Sequence, residues 1–365
     1  MAKKQTRKYF DYPMLFVVLF LVGFGLVMIY STSSYTSQIR YGTSTHWLFR
    51  QAGIAVVSIV FMFIISKMDY RILKNKICAK AAWGISVGSL GAVLLLGTVT
   101  KGSKRWISIF GIQLQPSEFV KGLLIIFLAF YLSENSHKIK TLWDAIKWIF
   151  YCAPIIGLVI VENLSTAIVL CAITGILIFV ISPRSKSLIG LALSILGAGV
   201  LYIFIGPAYR AERIQIWLNP ENHEKGLQTM QALYAIGSGG IFGKGLGQSM
   251  QKMGFIPESH NDMIFSIVCE ELGLFGAFAT IAIFLVLIWR ILIIAMNAPD
   301  LFGSLIAIGV AVHVSIQMLI NIGVVTNLFP PTGIPLPFIS YGGSSLMVLL
   351  MEMGLVLSVS RQIKL

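Results

Sequence analysis

Apolar stretches of about 20 residues recur along most of the chain, separated by shorter polar segments. A helix needs roughly 20 apolar residues to cross the hydrocarbon core of a bilayer. Ten spans are predicted, at about 13–33, 47–66, 77–99, 117–134, 143–162, 164–182, 187–206, 268–296, 301–326 and 343–360. The pattern predicts an all-α polytopic membrane protein, read as one membrane domain over 1–365. A basic tail covers 1–12, and a large loop at 207–266 separates spans seven and eight.

Composition agrees with that class. Hydrophobic residues make up 56% and charged residues 12%, with mean hydropathy +0.84; soluble domains are about 25% charged. The first span runs about 20 residues without a charge and lacks an Ala-x-Ala cleavage pattern, so it reads as a retained span and not a signal peptide. With the N-terminus in the cytoplasm, the tail and the segments "SKMDYRILKNK", "HKIKTLWDAIK" and "SPRSKS" all fall inside, as do Arg290, Arg361 and Lys364. An even number of spans returns the C-terminus to the same side. The net charge of +13 is thus a topology and anionic-lipid signal, with no nucleic-acid footprint. Cys78, Cys152, Cys171 and Cys269 form no C-x-x-C pair, and the five histidines show no zinc spacing.

Basic residues that break the positive-inside trend mark the outer side: Arg40, Arg50, Lys101, Lys104, Arg105, Lys121, Arg210, Arg213, Lys225, Lys244 and Lys252. A cationic surface at headgroup level suits a diphosphate, or anchors the protein to lipid headgroups. Glu118 and Lys121 stand i, i+3 at the start of a span, so they share a face and can pair. "GSGGIFGKGLG" departs from a P-loop, since Ser238 replaces the first glycine and Gly245 stands where Ser or Thr is required; its glycines are expected to pack a tight backbone on the spans. The four prolines between Pro330 and Pro337 predict an irregular segment buried in protein or lining a cavity. His313, Gln317 and Asn321 recur every four residues, a polar stripe suited to interhelical hydrogen bonds. Finally, Glu258, Asp262, Glu270 and Glu271 crowd into fourteen positions of a chain with only 15 acidic residues; the last two begin the eighth span, where the dipole favours Glu, so a structural role stands beside a catalytic one.

The motifs "KRWI…QPSEFVK" (104–121), "RIQIWLNP" (213–220), "GSGGIFGKGLGQSMQK…IPESHNDMIFSIVCEELG" (237–273) and "PTGIPLPFISYGGSS" (331–345) together resemble the SEDS family (shape, elongation, division and sporulation) of RodA-, FtsW- and SpoVE-type proteins, over essentially the whole chain. One departure is "ENLSTA" (162–167), where many members carry Gln-Pro-Asp-x-Gly-Thr; Glu162 is therefore not given the role of that aspartate. The resemblance implies a peptidoglycan glycosyltransferase polymerising lipid II at the outer face of the bacterial cytoplasmic membrane, with a class B penicillin-binding protein as transpeptidase partner. It puts the essential aspartate of the large loop at Asp262, and polar cavity residues at Arg50, Glu118 and Lys121. Arg105, Arg210, Arg213 and Lys244 are further candidates for substrate contact, with Glu258, His260 and Ser340 in support.

The chemistry fits these residue types. A sugar hydroxyl attacking an anomeric carbon needs a base, and turning an α-linked diphosphate into a β-linked strand is an inversion, so a single carboxylate at Asp262 suffices. The departing diphosphate needs positive charge, from Arg50, Lys121, Arg210 or Arg213 or from a divalent cation (Mg2+ or Mn2+); no motif demands a cofactor. The alternative is a lipid-linked saccharide transporter, which predicts a midplane site and repeat symmetry instead of charges crowded at one face. A non-catalytic scaffold leaves the outer cations and Asp262 without a task.

Overall fold

The structure is a computed structural model. It describes residues 9–100, 103–109, 112–139, 141–183, 190, 214–223, 226–257 and 259–364. Among these, nine helices are long and apolar enough to cross a membrane: α1 (Tyr12–Tyr41), α2 (His46–Lys67), α3 (Lys76–Leu96), α4 (Pro116–Asn135), α5 (Leu142–Glu162), α6 (Leu164–Ile181), α8 (Ile264–Met296), α9 (Leu301–Val325) and α10 (Gly343–Ser360). The shorter α7 (Leu227–Ser238) packs on α8. The span expected at 187–206 lies outside the described residues.

Local chemistry sets the helix ends. Asp11 caps α1 through the Met14 amide at 2.9 Å, Asp300 caps α9 through the Gly303 amide at 2.9 Å, and Asn163 caps α6 through Ser165 and Thr166. Pro116 occupies the first turn of α4, where its missing donor costs nothing.

One boundary departs from expectation. The first span is expected to end near 33, yet α1 continues through the polar run "STSSYTSQ" to Tyr41. Ser31, Thr32, Ser33 and Ser37 turn inward and are buried; Thr32 and Ser33 bond back to the carbonyls of Met28 and Ile29. Hydroxyls that satisfy themselves on the preceding turn let the helix continue.

α9 is the hub, in contact with α4, α6, α7, α8 and α10, while α10 packs along α2. Three short antiparallel strands, β1 (Thr98–Thr100), β2 (Ser103–Ile109) and β3 (Ile112–Leu114), lie in the order β1-β2-β3 between α3 and α4, with Thr98 opposite Trp106 and Ile107 opposite Leu114. At one end of the bundle Arg290 meets Asp11 at 2.6 Å, Arg71 meets Asp300 at 3.1 Å, and the Tyr70 hydroxyl donates to Asp300 at 2.6 Å. The opposite end carries the irregular loops.

Two of those loops enter the bundle. The proline segment is buried at Ile334, Leu336, Phe338 and Ile339, and its backbone presses on α1 near mid-helix: a Cβ on Gly25 would lie 2.6 Å from the Phe338 carbonyl oxygen. The glycine segment crosses α8 where that helix breaks. Gly273 has φ 68 and ψ −166, which interrupts the helical hydrogen bonds. Loop backbone replaces them: Lys244 and Gly245 donate to the carbonyls of Glu270 and Glu271, and Leu274 and Phe275 donate to Gly240 and Ile241, all at 2.9–3.1 Å. Interrupted backbone inside the bundle is thereby satisfied by protein.

Candidate active site

Asp262 stands two residues before α8, half-buried, on a turn. The Asn321 side-chain amide donates to the Asp262 carbonyl at 2.7 Å and to the Ile334 carbonyl at 2.9 Å. Asn321 thus ties the large loop to the proline segment. The carboxylate faces that segment too, its Oδ2 lying 3.9 Å from where a Cβ on Gly333 would be.

One turn along α9, Gln317 makes the matching connection to α4. Its Nε2 donates to the Pro335 carbonyl at 3.1 Å, while its Oε1 accepts from Lys121 Nζ at 3.3 Å. Lys121 also pairs with Glu118 at 2.9 Å, both side chains almost fully buried. The i, i+3 pair expected from the sequence is therefore formed, and the α9 stripe makes interhelical bonds as its spacing predicts. A further turn along, His313 Nε2 lies 2.9 Å from Gln317 Oε1, and His313 Nδ1 lies 2.7 Å from Glu352 Oε2 on α10. Glu352 carries no motif, and the signal that could have found it is its position as a lone carboxylate inside an apolar span.

Beside Asp262 a ring cluster joins three segments. Trp47 of α2 stacks on His260 with centroids 5.2 Å apart and meets Tyr341 edge-on at 4.9 Å. The Tyr341 amide donates to the His260 carbonyl at 2.9 Å. Arg50 is exposed, with its guanidinium carbon 6.0 Å from the Trp47 ring centre. Burial raises the Tyr341 phenol above its usual value, and the positive charge of Arg50 offsets part of that rise. Arg50, His260 and Asp262 are thus gathered at one end of the bundle. Trp47 lies in none of the motifs, and the contact that Tyr341 makes could not be read from its own motif, because the partners of both lie far away in sequence.

Other expected site residues take structural positions. Lys244 pairs with Glu270 at 2.7 Å, and Lys252 pairs with Glu271 at 2.8 Å. Lys252 is buried, so it adds nothing to a cationic outer surface. Glu270 and Glu271 are not first-turn dipole residues: they sit six and seven positions beyond Ile264 and are fully buried. Their carboxylates receive the Ser249 hydroxyl (on Glu270) and amide (on Glu271), the amides of Met250 and Gln251 (on Glu270), and the Ser31 hydroxyl (on Glu271). They anchor the glycine loop. Arg105 donates to the Glu162 carbonyl at 2.9 Å, closing the end of α5. The Ser340 hydroxyl accepts from the Leu336 amide at 2.8 Å, a clamp within the proline segment. Arg210, Arg213, Glu258, Lys101 and Lys225 lie outside the described residues, as does the side chain of Lys104. Among the described residues no three His, Cys, Asp or Glu side chains are grouped to hold a metal.

The model of a cell cycle protein family, FtsW/RodA/SpoVE, matches residues 12–365. The chain belongs to that family. It is 38% identical to stage V sporulation protein E of Bacillus subtilis, over 99% of each chain. It is 35% identical to the probable peptidoglycan glycosyltransferase FtsW of Trichlorobacter lovleyi, over 98% of this chain and 94% of that one. In structure it matches a chain described under "Structural coordination of polymerization and crosslinking by a peptidoglycan synthase complex", with TM-score 0.82 and 28% identity over 97% of this chain and 98% of that chain. The rod shape determining protein RodA of Thermus thermophilus superposes with TM-score 0.72 and 26% identity, over 97% of both chains. These likenesses agree with the fold class and family read from the motifs.

Proposed function

We propose that this FtsW/RodA/SpoVE-family chain is a peptidoglycan glycosyltransferase that polymerises lipid II by an inverting mechanism with Asp262 as general base. One observation carries the assignment to this site: successive turns of α9 hold the Asp262 main chain through Asn321 and the Lys121 ammonium through Gln317, and both are fastened to adjacent carbonyls, Ile334 and Pro335. A carboxylate and a cation on one scaffold face are what the reaction needs.

In the proposed step, the Asp262 carboxylate takes the proton of the acceptor sugar hydroxyl as its oxygen bonds to the anomeric carbon. The anomeric carbon–oxygen bond breaks, and its electron pair leaves with the lipid diphosphate. Arg50, exposed and held over Trp47, offers a planar fork of donors to the phosphate oxygens. Lys121, buried and bonded to Glu118 and Gln317, contributes a positive charge inside the site that Glu118 balances, without contacting the phosphate.

On this reading the Asp262 end faces outward from the bacterial cytoplasmic membrane, with both termini in the cytoplasm. The partner would be a class B penicillin-binding protein, which the likeness to a chain of a peptidoglycan synthase complex supports. The test is strand formation from lipid II on a gel, with and without that partner. Asp262→Ala should cost at least about 100-fold in rate without lowering thermal stability. Full activity in that folded variant would remove the base assignment, and movement of labelled lipid II across vesicles without strands would favour a transporter.

A further inference from the structure

We infer that Glu352 is a positioning residue of this site, acting through His313 to hold the Gln317 amide in the one orientation that serves both Lys121 and the proline segment. The inference rests on the transferase reading above. Glu352 lies mid-way along α10, where an ionisable side chain is costly and rarely idle. Its Oε1 has no hydrogen-bond partner among the described residues, and the residue borders an apolar cavity of about 420 Å³ between α3, α4 and α10, lined by Ile85, Phe119, Gly122 and Met351 among others. Among the described residues its one polar partner is therefore His313, through Oε2 at 2.7 Å.

Proton accounting then constrains the chain of contacts. Lys121 has only donors to offer, so the Gln317 atom facing it is the oxygen, and Nε2 is left to bond the Pro335 carbonyl. That same oxygen lies 2.9 Å from His313 Nε2, so this ring nitrogen must carry a hydrogen. One further proton is shared between His313 Nδ1 and Glu352 Oε2. Held on either atom, it leaves the pair neutral: imidazolium with carboxylate, or imidazole with carboxylic acid. Without a partner at position 352 nothing holds the ring at Nδ1, and it is free to turn and withdraw its Nε2–H from Gln317 Oε1. The amide then loses the donor that helps to fix it between Lys121 and the Pro335 carbonyl. The Lys121 end of the site and the segment beside Asp262 would both be held less firmly.

Three proteins test this with lipid II polymerisation and thermal unfolding measured side by side. Glu352→Gln keeps a side-chain donor for Nδ1, preserves the Nε2–H tautomer and should retain kcat within about threefold of wild type. The double replacement Glu352→Leu/His313→Leu removes the pair together and should fold with unchanged or higher stability, because apolar residues replace a buried ionic pair without orphaning a partner. Its kcat should nevertheless fall about 10–100-fold, the usual scale for a lost outer-shell support, with KM within about threefold. A pair that serves stability alone predicts a stable double variant with wild-type kcat, and that result overturns the inference. A Glu352→Gln protein that loses tenfold or more overturns it as well, whether or not the double variant folds. Wild-type protein that makes no strands removes the transferase reading first, an outcome distinct from either.

Discussion

The glycine loop that leads to Asp262 is fastened by buried charge, and removing one charge should release it. In Glu271→Gln the side chain keeps its size, but the Lys252 ammonium, with 4% of its side chain exposed, loses its counter-charge. Breaking a buried pair from one side costs about 3–5 kcal/mol, because the remaining charge must stay buried alone or lose its proton. The hydroxyl of Ser31 and the amide of Ser249 still find an oxygen, so the loss falls mainly on the ion pair. At 1.4 kcal/mol per decade, the opening equilibrium of the loop rises at least 100-fold. Hydrogen exchange reads this directly at the amides of Lys244, Gly245 and Ser249, which donate to Glu270 and Glu271. They should lose about two decades of protection while amides of α9 keep theirs. A double replacement, Glu271→Gln with Lys252→Met, keeps an oxygen for the Ser249 amide and the Ser31 hydroxyl, removes the unpaired ammonium, and should recover most of that protection. Exchange at those amides within threefold of wild type in Glu271→Gln would refute the anchoring role.

Two further outcomes follow from named contacts. Asn321→Leu leaves the carbonyls of Asp262 and Ile334 without their donor, a stability cost of about 1–3 kcal/mol per buried group; because it loosens the main chain of the proposed base, kcat should drop more than KM changes. At the other end, burial opposes charge on Asp300, but bonds from the Tyr70 hydroxyl, the Gly303 amide and Arg71 outweigh it and hold the carboxyl below its usual value. A depressed carboxyl contributes stability that is fully present above its unfolded value near pH 4 and lost as pH falls through the folded one. Unfolding temperatures between pH 5 and 3 should therefore fall less steeply in Asp300→Asn than in wild type.

What the sequence disclosed, and what it withheld, divides along a physical line. Periodicity reports neighbours on one helix, so the pairing of Glu118 with Lys121 and the common face of His313, Gln317 and Asn321 could be read from spacing alone. Partners on other elements could not. Glu352 meets a histidine 39 positions away, and Ser31 meets a carboxylate 240 positions away. Lys252 looked like one more outer cation because nothing local shows that Glu271, 19 residues on, lies against it. The extension of α1 beyond 33 was illegible for a related reason: apolar run length does not show that Thr32 and Ser33 bond back to the preceding turn.

The four clustered carboxylates illustrate how one residue type takes different tasks in one segment. Glu270 and Glu271 are fully buried and receive donors from a loop that crosses α8 at its break, so they fix where that loop runs. Replacing helical bonds with loop bonds at Gly273 lets the segment enter the bundle without leaving backbone groups unpaired. The turn that follows is held from other sides: Asn321 grips the Asp262 carbonyl, while Trp47 and Tyr341 brace His260. Asp262 is thus carried on a short turn between two fixed supports, half-buried and facing Gly333, a position where a Cβ would come within 3.9 Å of its carboxylate. A base that must take a proton from an incoming hydroxyl needs rigid placement and access together, and among the described carboxylates of the cluster Asp262 is the one that is not fully buried.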